Sequence, residues 1–580
     1  MPWIKKRSKK ASRTRLVSLA AILGFLLILS SAFALSKQNA ASSDTFPSAL
    51  STRESASLRP YPARNLDAKS LIRQKQGFIL IKPSKVAVID EGFPEKSLSA
   101  EEAIHLDGGA GDRFRRSALL QFDLSQINQA PVEAAYLRLY NGETLENNAT
   151  RTIRIRSLTK PWTTGANWLT YDGKHLWTAE GGMEDESEYE AAQTVFRIVK
   201  WEPSWFMDVT PLVKEWTGGA ANFGVSIRAD DRISLMPPSK ENTGPTLIVL
   251  TKPADKIASA LQSLKFDFVD APFADPNIGI VNALVQADRL GLDPAYLEAL
   301  EKYYASVIDE QGRFRPTARF QFKNYYVAGF GPSLLYLYEK TGKEKYAAAV
   351  RTLRQLLTPE KMKNGLFIEE KHQSVQTELA MFAIPFLAEY GISFRDRQSL
   401  NLAVDQMLKL LETTTWKEAD FLPNTYVYEK GGIGKGWARG VGYLFAGLGK
   451  LLSYEEVKEH PRYSDLENSY KQLASTLFKY RTGGMWRGLL QLQTSPADTS
   501  GSSLLAIGYE YGVRNGILKP ESYRIVDEAL DAITNYSKTG LDLGQSFPPN
   551  QDLTYRTTNF GATRHALGYW LELITLVAGR

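Results

Sequence analysis

Residues Gly436-Trp437-Ala438-Arg439-Gly440-Val441-Gly442-Tyr443 set an indole, a guanidinium and a phenol among glycines at an expected helix start. An indole face can carry a sugar ring, and a guanidinium fork matches a carboxylate. Together they point to an acidic carbohydrate. The same residues also admit a structural reading, with Trp437 in the core and Arg439 in an internal ion pair. Glycines this close together bring backbone near a ligand or near another helix.

The elements that would hold such a site follow from length, composition and period. A chain of 580 residues with 43% hydrophobic content sustains large cores, in about three or four ordinary domains or fewer large ones. Its first fifteen residues carry Lys5, Lys6, Arg7, Lys9, Lys10, Arg13 and Arg15 without an acid, an apolar run extends from Leu16 to Leu29, and Ala32-Phe33-Ala34 has the small-x-small form of a cleavage site. Residues 1–34 are therefore expected to be a secretory signal peptide, with an uncleaved anchor as the alternative. Without those seven positive charges the formal +6 becomes −1, so the basic balance belongs to the leader and nucleic acid is not an expected partner. The chain has no cysteine, which excludes disulfides, thiolate catalysis and thiolate metal sites.

Residues 35–77, rich in Ser and Ala and interrupted by Pro47, Pro60 and Pro62, read as a flexible linker. From 78 to 255 short alternating runs such as Leu137-Arg-Leu-Tyr140 and Thr152-Ile-Arg-Ile-Arg156 recur between turn residues and predict an all-β sandwich. From 256 to 580 the period becomes helical. Tyr346, Ala349, Val350, Leu353 and Leu357 make one apolar stripe, and Leu400, Ala403, Val404, Met407 and Leu411 make another. Asp293-Pro294 and Thr358-Pro359 are expected helix starts. Glycine-aromatic turns at Gly312-Arg-Phe314, Gly365-Leu-Phe367 and Gly484-Met-Trp486 suggest a repeated helical hairpin of roughly 55 residues, and six such hairpins would close an all-α (α/α)6 toroid.

Two resemblances sharpen this. Arg116-Ser-Ala-Leu-Leu-Gln-Phe-Asp-Leu124, Ala135-Tyr-Leu-Arg-Leu-Tyr140, Phe206-Met-Asp-Val-Thr-Pro-Leu-Val213 with Trp216, and Pro245-Thr-Leu-Ile-Val249 resemble the DNRLRE-type β-sandwich modules, some of which bind polysaccharide. Trp162, Trp168, Trp177, Trp201, Trp205 and Trp216 all fall here, as core residues or as an exposed glycan platform. Gly331-Pro-Ser-Leu-Leu-Tyr-Leu-Tyr-Glu-Lys-Thr-Gly342, Pro385-Phe-Leu-Ala-Glu-Tyr-Gly391, the Gly436–Gly442 stretch, and Thr499-Ser-Gly-Ser-Ser503 running into Tyr511-Gly-Val-Arg-Asn-Gly-Ile-Leu518 resemble the unsaturated rhamnogalacturonyl and glucuronyl hydrolases of families 105 and 88.

The second resemblance implies hydration of the C4–C5 double bond of a terminal unsaturated uronic acid by one carboxyl group, acting first as acid and then as base. The family's aspartate position falls on Glu378, the implied catalytic residue. Trp437, Arg439, Tyr443, Trp486, His372, Thr499 and Ser500 are the implied substrate-binding residues. The chain departs from the family in three places. No acid stands near Asn324, Val441 and Tyr443 replace an Asn and a Trp, and Asn424 and Tyr426 stand where a histidine is expected.

Two other classes remain open. A polysaccharide lyase on a uronate polymer would draw on Tyr555, Asn559, Arg564 and His565, because a Tyr or His can abstract the C5 proton while Asn and Arg neutralise the carboxylate. A non-catalytic cell-surface glycan-binding protein, the sandwich with a degenerate toroid, would still hold sugar through Trp437, Arg439 and Trp486. No cofactor or metal is indicated: Asp270, Asp275, Asp420 and Glu429 lack ligand spacing, and Asp90, Asp107, Asp112 and Asp123 read as turn residues that could hold calcium. The expected partner is an acidic polysaccharide or oligosaccharide, with membrane contact only through the leader.

Overall fold

The period-two stretch folds as β1 (Phe78–Ile81), β2 (Pro83–Asp90), β3 (Ile104–Gly108), β4 (Arg115–Phe122), β5 (Ala134–Tyr140), β6 (Thr150–Ser157), β7 (Thr194–Val199), β8 (Ser204–Asp208), β9 (Val225–Ala229), β10 (Ile233–Leu235) and β11 (Thr246–Leu250). In the computed structural model these make two antiparallel sheets, β1-β11-β5-β8 and β10-β3-β4-β9-β6-β7, with β2 also paired to β4. Alternation sorts the side chains. Ala118, Leu120 and Phe122 of β4 enter one apolar cluster with residues of both sheets, while Leu119 faces the opposite way.

On that opposite face Trp162, Trp168 and Trp177 cover Ala87, Ile89 and Leu119. Lys85 lies over the Trp162 ring and Arg115 over that of Trp168. Trp205 and Trp216 belong to the cluster shared by the sheets. Of the two readings open to these tryptophans, the core one holds for all five described: each is buried and none offers an exposed platform. Trp201 lies outside the described residues.

The structure describes residues 63–73, 78–98, 100–142, 150–182, 194–199, 203–240, 243–253, 255–265, 273–316, 325–370, 372–414, 421–428, 431–547 and 560–580. The expected signal peptide and the expected linker as far as 62 lie outside them. Part of the linker is not a tether. Helix α1 (Ala68–Arg73) packs with Leu66 and Ala68 into the core of the helical region, and the Arg64 amide donates to Asp527 at 3.0 Å. Helix α2 (Thr210–Thr217) follows β8 and contributes Val213 and Trp216 to the β core.

From residue 256 onward come α3 (Lys256–Ser263), α4 (Ile278–Arg289), α5 (Ala295–Val307), α6 (Gly331–Thr341), α7 (Glu344–Gln355), α8 (Leu379–Ser393), α9 (Arg397–Thr414), α10 (Ala438–Leu451), α11 (Tyr463–Lys479), α12 (Thr499–Arg514), α13 (Tyr523–Thr534) and α14 (Arg564–Ala578). Helices α4, α6, α8, α10, α12 and α14 each pack on the next, and α14 packs back on α4. Helices α5, α7, α9, α11, α13 and α3 lie outside α4, α6, α8, α10, α12 and α14 respectively. The sequences of the two sets differ accordingly. Inner helix α8 is buried at every residue from Leu379 to Ala388, whereas outer helices α7 and α9 bury the two stripes read from the sequence, apart from the half-buried Leu400.

The glycine-aromatic turns join an outer helix to the next inner one. Gly312, Gly365 and Gly484 all have positive φ, and Phe314, Phe367 and Trp486 insert into the helical core. At Gly484 a side chain would also come within 2.8 Å of the Glu528 carbonyl oxygen. One expected helix start is corrected: Thr358-Pro359 opens only a 3-10 turn, Pro359–Lys361, with no side-chain cap, and the chain then continues into a short antiparallel hairpin, Met362–Lys363 paired with Leu366–Phe367.

Glu572, midway along α14, is buried, and its Oε1 accepts from the Asn282 amide at 3.2 Å. Burial raises its carboxyl from 4.5 to about 7, against opposing influences from Lys450 and Asn282. A carboxyl raised on folding stabilises the fold fully below its unfolded value, and that contribution is lost as pH rises through about 7. The shift corresponds to about 3 kcal/mol. Glu572→Gln is therefore expected to flatten the loss of stability between about pH 5 and about pH 8, read by thermal unfolding at each pH. An unchanged slope would mean that Glu572 is not the group responsible.

The β region meets the helical region through β11. Ile248 and Leu250, with Tyr136 and Phe206, pack on Leu541. Leu541 belongs to the segment from Asn535 to Phe547 after α13, whose turn is pinned by Asp542 accepting from the Lys538 and Thr539 amides. The same segment runs on to the inner-helix ends.

Candidate functional site

The N-terminal ends of the inner helices carry polar residues toward one another. Glu378 precedes α8, Trp437 precedes α10, Asp498 caps α12 and Thr563 caps α14. The 3-10 turn Asp275–Asn277 precedes α4, and Tyr325–Phe330 precedes α6. Converging helix N-termini favour negative charge between them.

Glu378 is 6% exposed. The strand Val375–Gln376 leads into it and pairs with Tyr426–Tyr428, Gln376 opposite Tyr426, which brings the Tyr426 phenol alongside. Tyr426 donates to Glu378 Oε1 at 3.0 Å. Oε2 is buried with no hydrogen-bond partner among the described residues. Burial lifts the carboxyl from 4.5 to about 7. Its own backbone amide, the Tyr426 hydrogen bond and the charge of Arg439 oppose that rise, in that order, and the charge of Asp275 adds to it. A neutral carboxylic acid with one oxygen aligned and the other unengaged can donate a proton.

Arg439, whose charge acts on this acid, is itself buried. Its Nη1 donates to the Phe547 carbonyl at 2.8 Å and to Ser500 Oγ at 3.1 Å, and its guanidinium is 4.8 Å from the Trp437 ring. Trp437 also stacks on Tyr426 and touches Phe547. Its ring, 2% exposed, is occupied by these neighbours, so the sugar-platform reading of Trp437 is corrected to a supporting one. The glycines likewise serve close packing: a Cβ on Gly440 would come within 2.4 Å of Thr425 and one on Gly442 within 2.6 Å of Leu504.

Across from Glu378, His565 Nε2 lies 3.3 Å from Asp275 Oδ2, and the Arg564 guanidinium donates to the Asn277 side-chain oxygen. Tyr326 donates to Gln376 Oε1. Asp275, Tyr426 and Tyr326 were not singled out as site residues from sequence. Tyr426 did stand where the resemblance places a histidine, and that was the available signal.

The remaining expected residues separate. Tyr443 is buried against Phe382 and Tyr569 beneath the site. Thr499 donates to the Gly544 carbonyl, and Ser500 to Asp498. Both hold the 544–547 segment and Arg439, and neither faces solvent. His372, paired with Glu369 at 2.8 Å, lines an open cleft of about 630 Å³ with Lys363, Gln373, Tyr428 and Gly431–Ile433. Tyr555 and Asn559 lie outside the described residues. Among the described residues no group of three or more His, Asp or Glu side chains is gathered as a metal site.

Trp486 is fully buried, donates to the Leu477 carbonyl and stacks on Tyr509, so its expected contact with substrate is corrected to a core role. Trp486→Ala is expected to cost about 3–5 kcal/mol of stability. Denaturant unfolding checks this. An unchanged midpoint with weakened saccharide binding would restore the substrate role.

Residues 279–543 match the model of Glycosyl Hydrolase Family 88. The family 88 match runs from α4 through α13 and includes Glu378, Tyr426 and Arg439, and it supports glycoside hydrolase activity in general. Among solved structures, a family 105 glycoside hydrolase of C. acetobutylicum ATCC 824 is 18% identical with a TM-score of 0.50, over 56% of this chain and 99% of that one. It shares the fold of the helical region, an α/α toroid. A protein of Salmonella enterica serovar Paratyphi A, described as a possible family 105 member, is 17% identical with a TM-score of 0.48, over 56% and 94%. A family 88 glycosyl hydrolase of Bacteroides vulgatus is 13% identical with a TM-score of 0.45, over 57% and 99%. No curated protein matches the chain.

Proposed function

We propose that this is a secreted glycoside hydrolase that hydrates the terminal unsaturated uronic acid of an acidic oligosaccharide, with Glu378 as the acid. In this reading residues 256–580 form an (α/α)6 toroid that carries the site. Residues 78–255 form a DNRLRE-type β-sandwich that supports it, and residues 1–34 direct export. The observation that carries the proposal is the state of Glu378: buried, raised to about 7, held at Oε1 by Tyr426 and unengaged at Oε2.

Mechanistically, Oε2–H protonates C4 of the double bond and positive charge develops at C5. Water adds there, and the resulting hemiketal opens and releases the next sugar. Glutamate supplies the family's carboxyl with one more methylene, so the double bond must lie slightly farther from α8 than an aspartate would require. The cleft beside His372 and Tyr428 is the space assigned to the sugars beyond the scissile bond.

Because the acid must be protonated, kcat/KM is expected to fall tenfold per pH unit above about pH 7, the value at which Glu378 ionises. A flat profile through that range would remove Glu378 from the role. The function itself is tested by incubating the mature protein with lyase-generated unsaturated disaccharides and with intact uronate polymers. Loss of the double-bond absorbance with the disaccharides supports the hydrolase. A gain with the polymers identifies a lyase, and no change with either leaves only glycan binding.

A further inference from the structure

Inner helices α4 and α14 meet through two parallel links, Arg564 to Asn277 and His565 to Asp275. The first joins the turn before α4 to the first residue of α14. The second places a buried imidazole on a carboxylate that is 30% exposed, at the polar end where Glu378 stands. We propose that His565, oriented by Asp275, is the base that removes the proton from the attacking water, so that proton delivery and proton removal belong to different residues. The proposal rests on the hydrolase reading above.

The geometry specifies the imidazole's form. With Nε2–H directed at Asp275 Oδ2, the lone pair is on Nδ1, the nitrogen through which the imidazole would accept a proton. Burial disfavours the imidazolium and the charge of Arg439 adds to this, while Asp275 and Asp498 oppose it. Arg564, the other charged group of this turn, is engaged by Asn277. His565 therefore rests as a neutral base. Asp275 acts on both partners: its charge keeps the proton on Glu378 before the reaction and stabilises the imidazolium after it.

The step balances without an outside reagent. The Glu378 O–H bond breaks as the C4–H bond forms. A water O–H bond breaks as the C5–O bond forms, and that proton goes to His565. The imidazolium then returns a proton through solvent to the Glu378 carboxylate. One water is added overall.

His565→Gln, His565→Ala and Asp275→Asn in the full chain test the pair with an unsaturated uronyl disaccharide. In the wild type kcat/KM should rise through the His565 titration and fall above about pH 7. His565→Gln should lower kcat by about 100-fold and abolish the acid limb. Added imidazole should restore part of the rate of His565→Ala. Asp275→Asn should move both limbs to lower pH, because its charge raises both groups; a purely structural link would move neither. If the wild type turns over and His565→Gln retains its rate and acid limb, His565 is not the base and the hydrolase reading stands. If His565→Gln folds poorly, the imidazole rescue and the limb positions in Asp275→Asn decide. A wild type without turnover overturns both the proposal and the reading beneath it.

Discussion

Glu378→Gln is expected to lower kcat/KM on an unsaturated uronyl disaccharide by about 1,000-fold, or about 4 kcal/mol of transition-state stabilisation. Glutamine fills the same space and its carbonyl oxygen can still accept from Tyr426, but it has no proton to give to C4. The loss should therefore fall on kcat, with KM little changed. The variant should also unfold at higher temperature than the wild type above about pH 7, since it removes a carboxylate that burial disfavours there. Lower activity with equal or greater stability would separate a catalytic loss from misfolding. Retained turnover would exclude Glu378 as the acid.

Arg439→Met should have the largest effect on the fold around the site. The guanidinium holds the Phe547 carbonyl and Ser500, and Ser500 in turn donates to Asp498, which also accepts from the Phe547 amide. Removing it deletes two charge-assisted hydrogen bonds and the contact with Trp437, a loss of about 3–5 kcal/mol. It also removes a positive charge that holds Glu378 down, so the alkaline limb of activity should move to higher pH. Denaturant unfolding and a pH–rate profile measure the two effects separately. An unchanged midpoint would mean that the 544–547 segment is held by Thr499 and Asp498 alone.

The architecture was legible because period and punctuation are local properties. Alternation in Leu137–Tyr140 and Thr152–Arg156 marked β5 and β6, and the stripes beginning at Tyr346 and Leu400 marked α7 and α9. The repeated glycine-aromatic turn is visible in the sequence too. Phe314, Phe367 and Trp486 are one structural position repeated, which identifies Trp486 as core rather than as a sugar contact. The tryptophans of the β region could not be assigned, because composition does not say which face of a sheet a covering segment will take.

The site was legible only in part. The Gly436–Tyr443 stretch was correctly placed at a helix start, but its aromatic and basic side chains turn inward: exposure depends on what packs against them, here Tyr426, Phe547 and Ser500. Glu378 was reached through the Pro385 motif, whereas its partner Tyr426 lies 48 residues away and is delivered by strand pairing. Asp275 and His565, 290 residues apart, meet only because the last inner helix packs on the first.

In the proposed mechanism Glu378 delivers a proton to C4. Turnover of an unsaturated uronyl disaccharide in heavy water, with the product examined by NMR or mass spectrometry, tests it most directly. The account predicts a product carrying one deuterium at C4, formed by the wild type and lost with Glu378→Gln. Release of the neighbouring sugar with no deuterium at C4 would contradict it, because the glycosidic bond would then have been cleaved without hydration of the double bond.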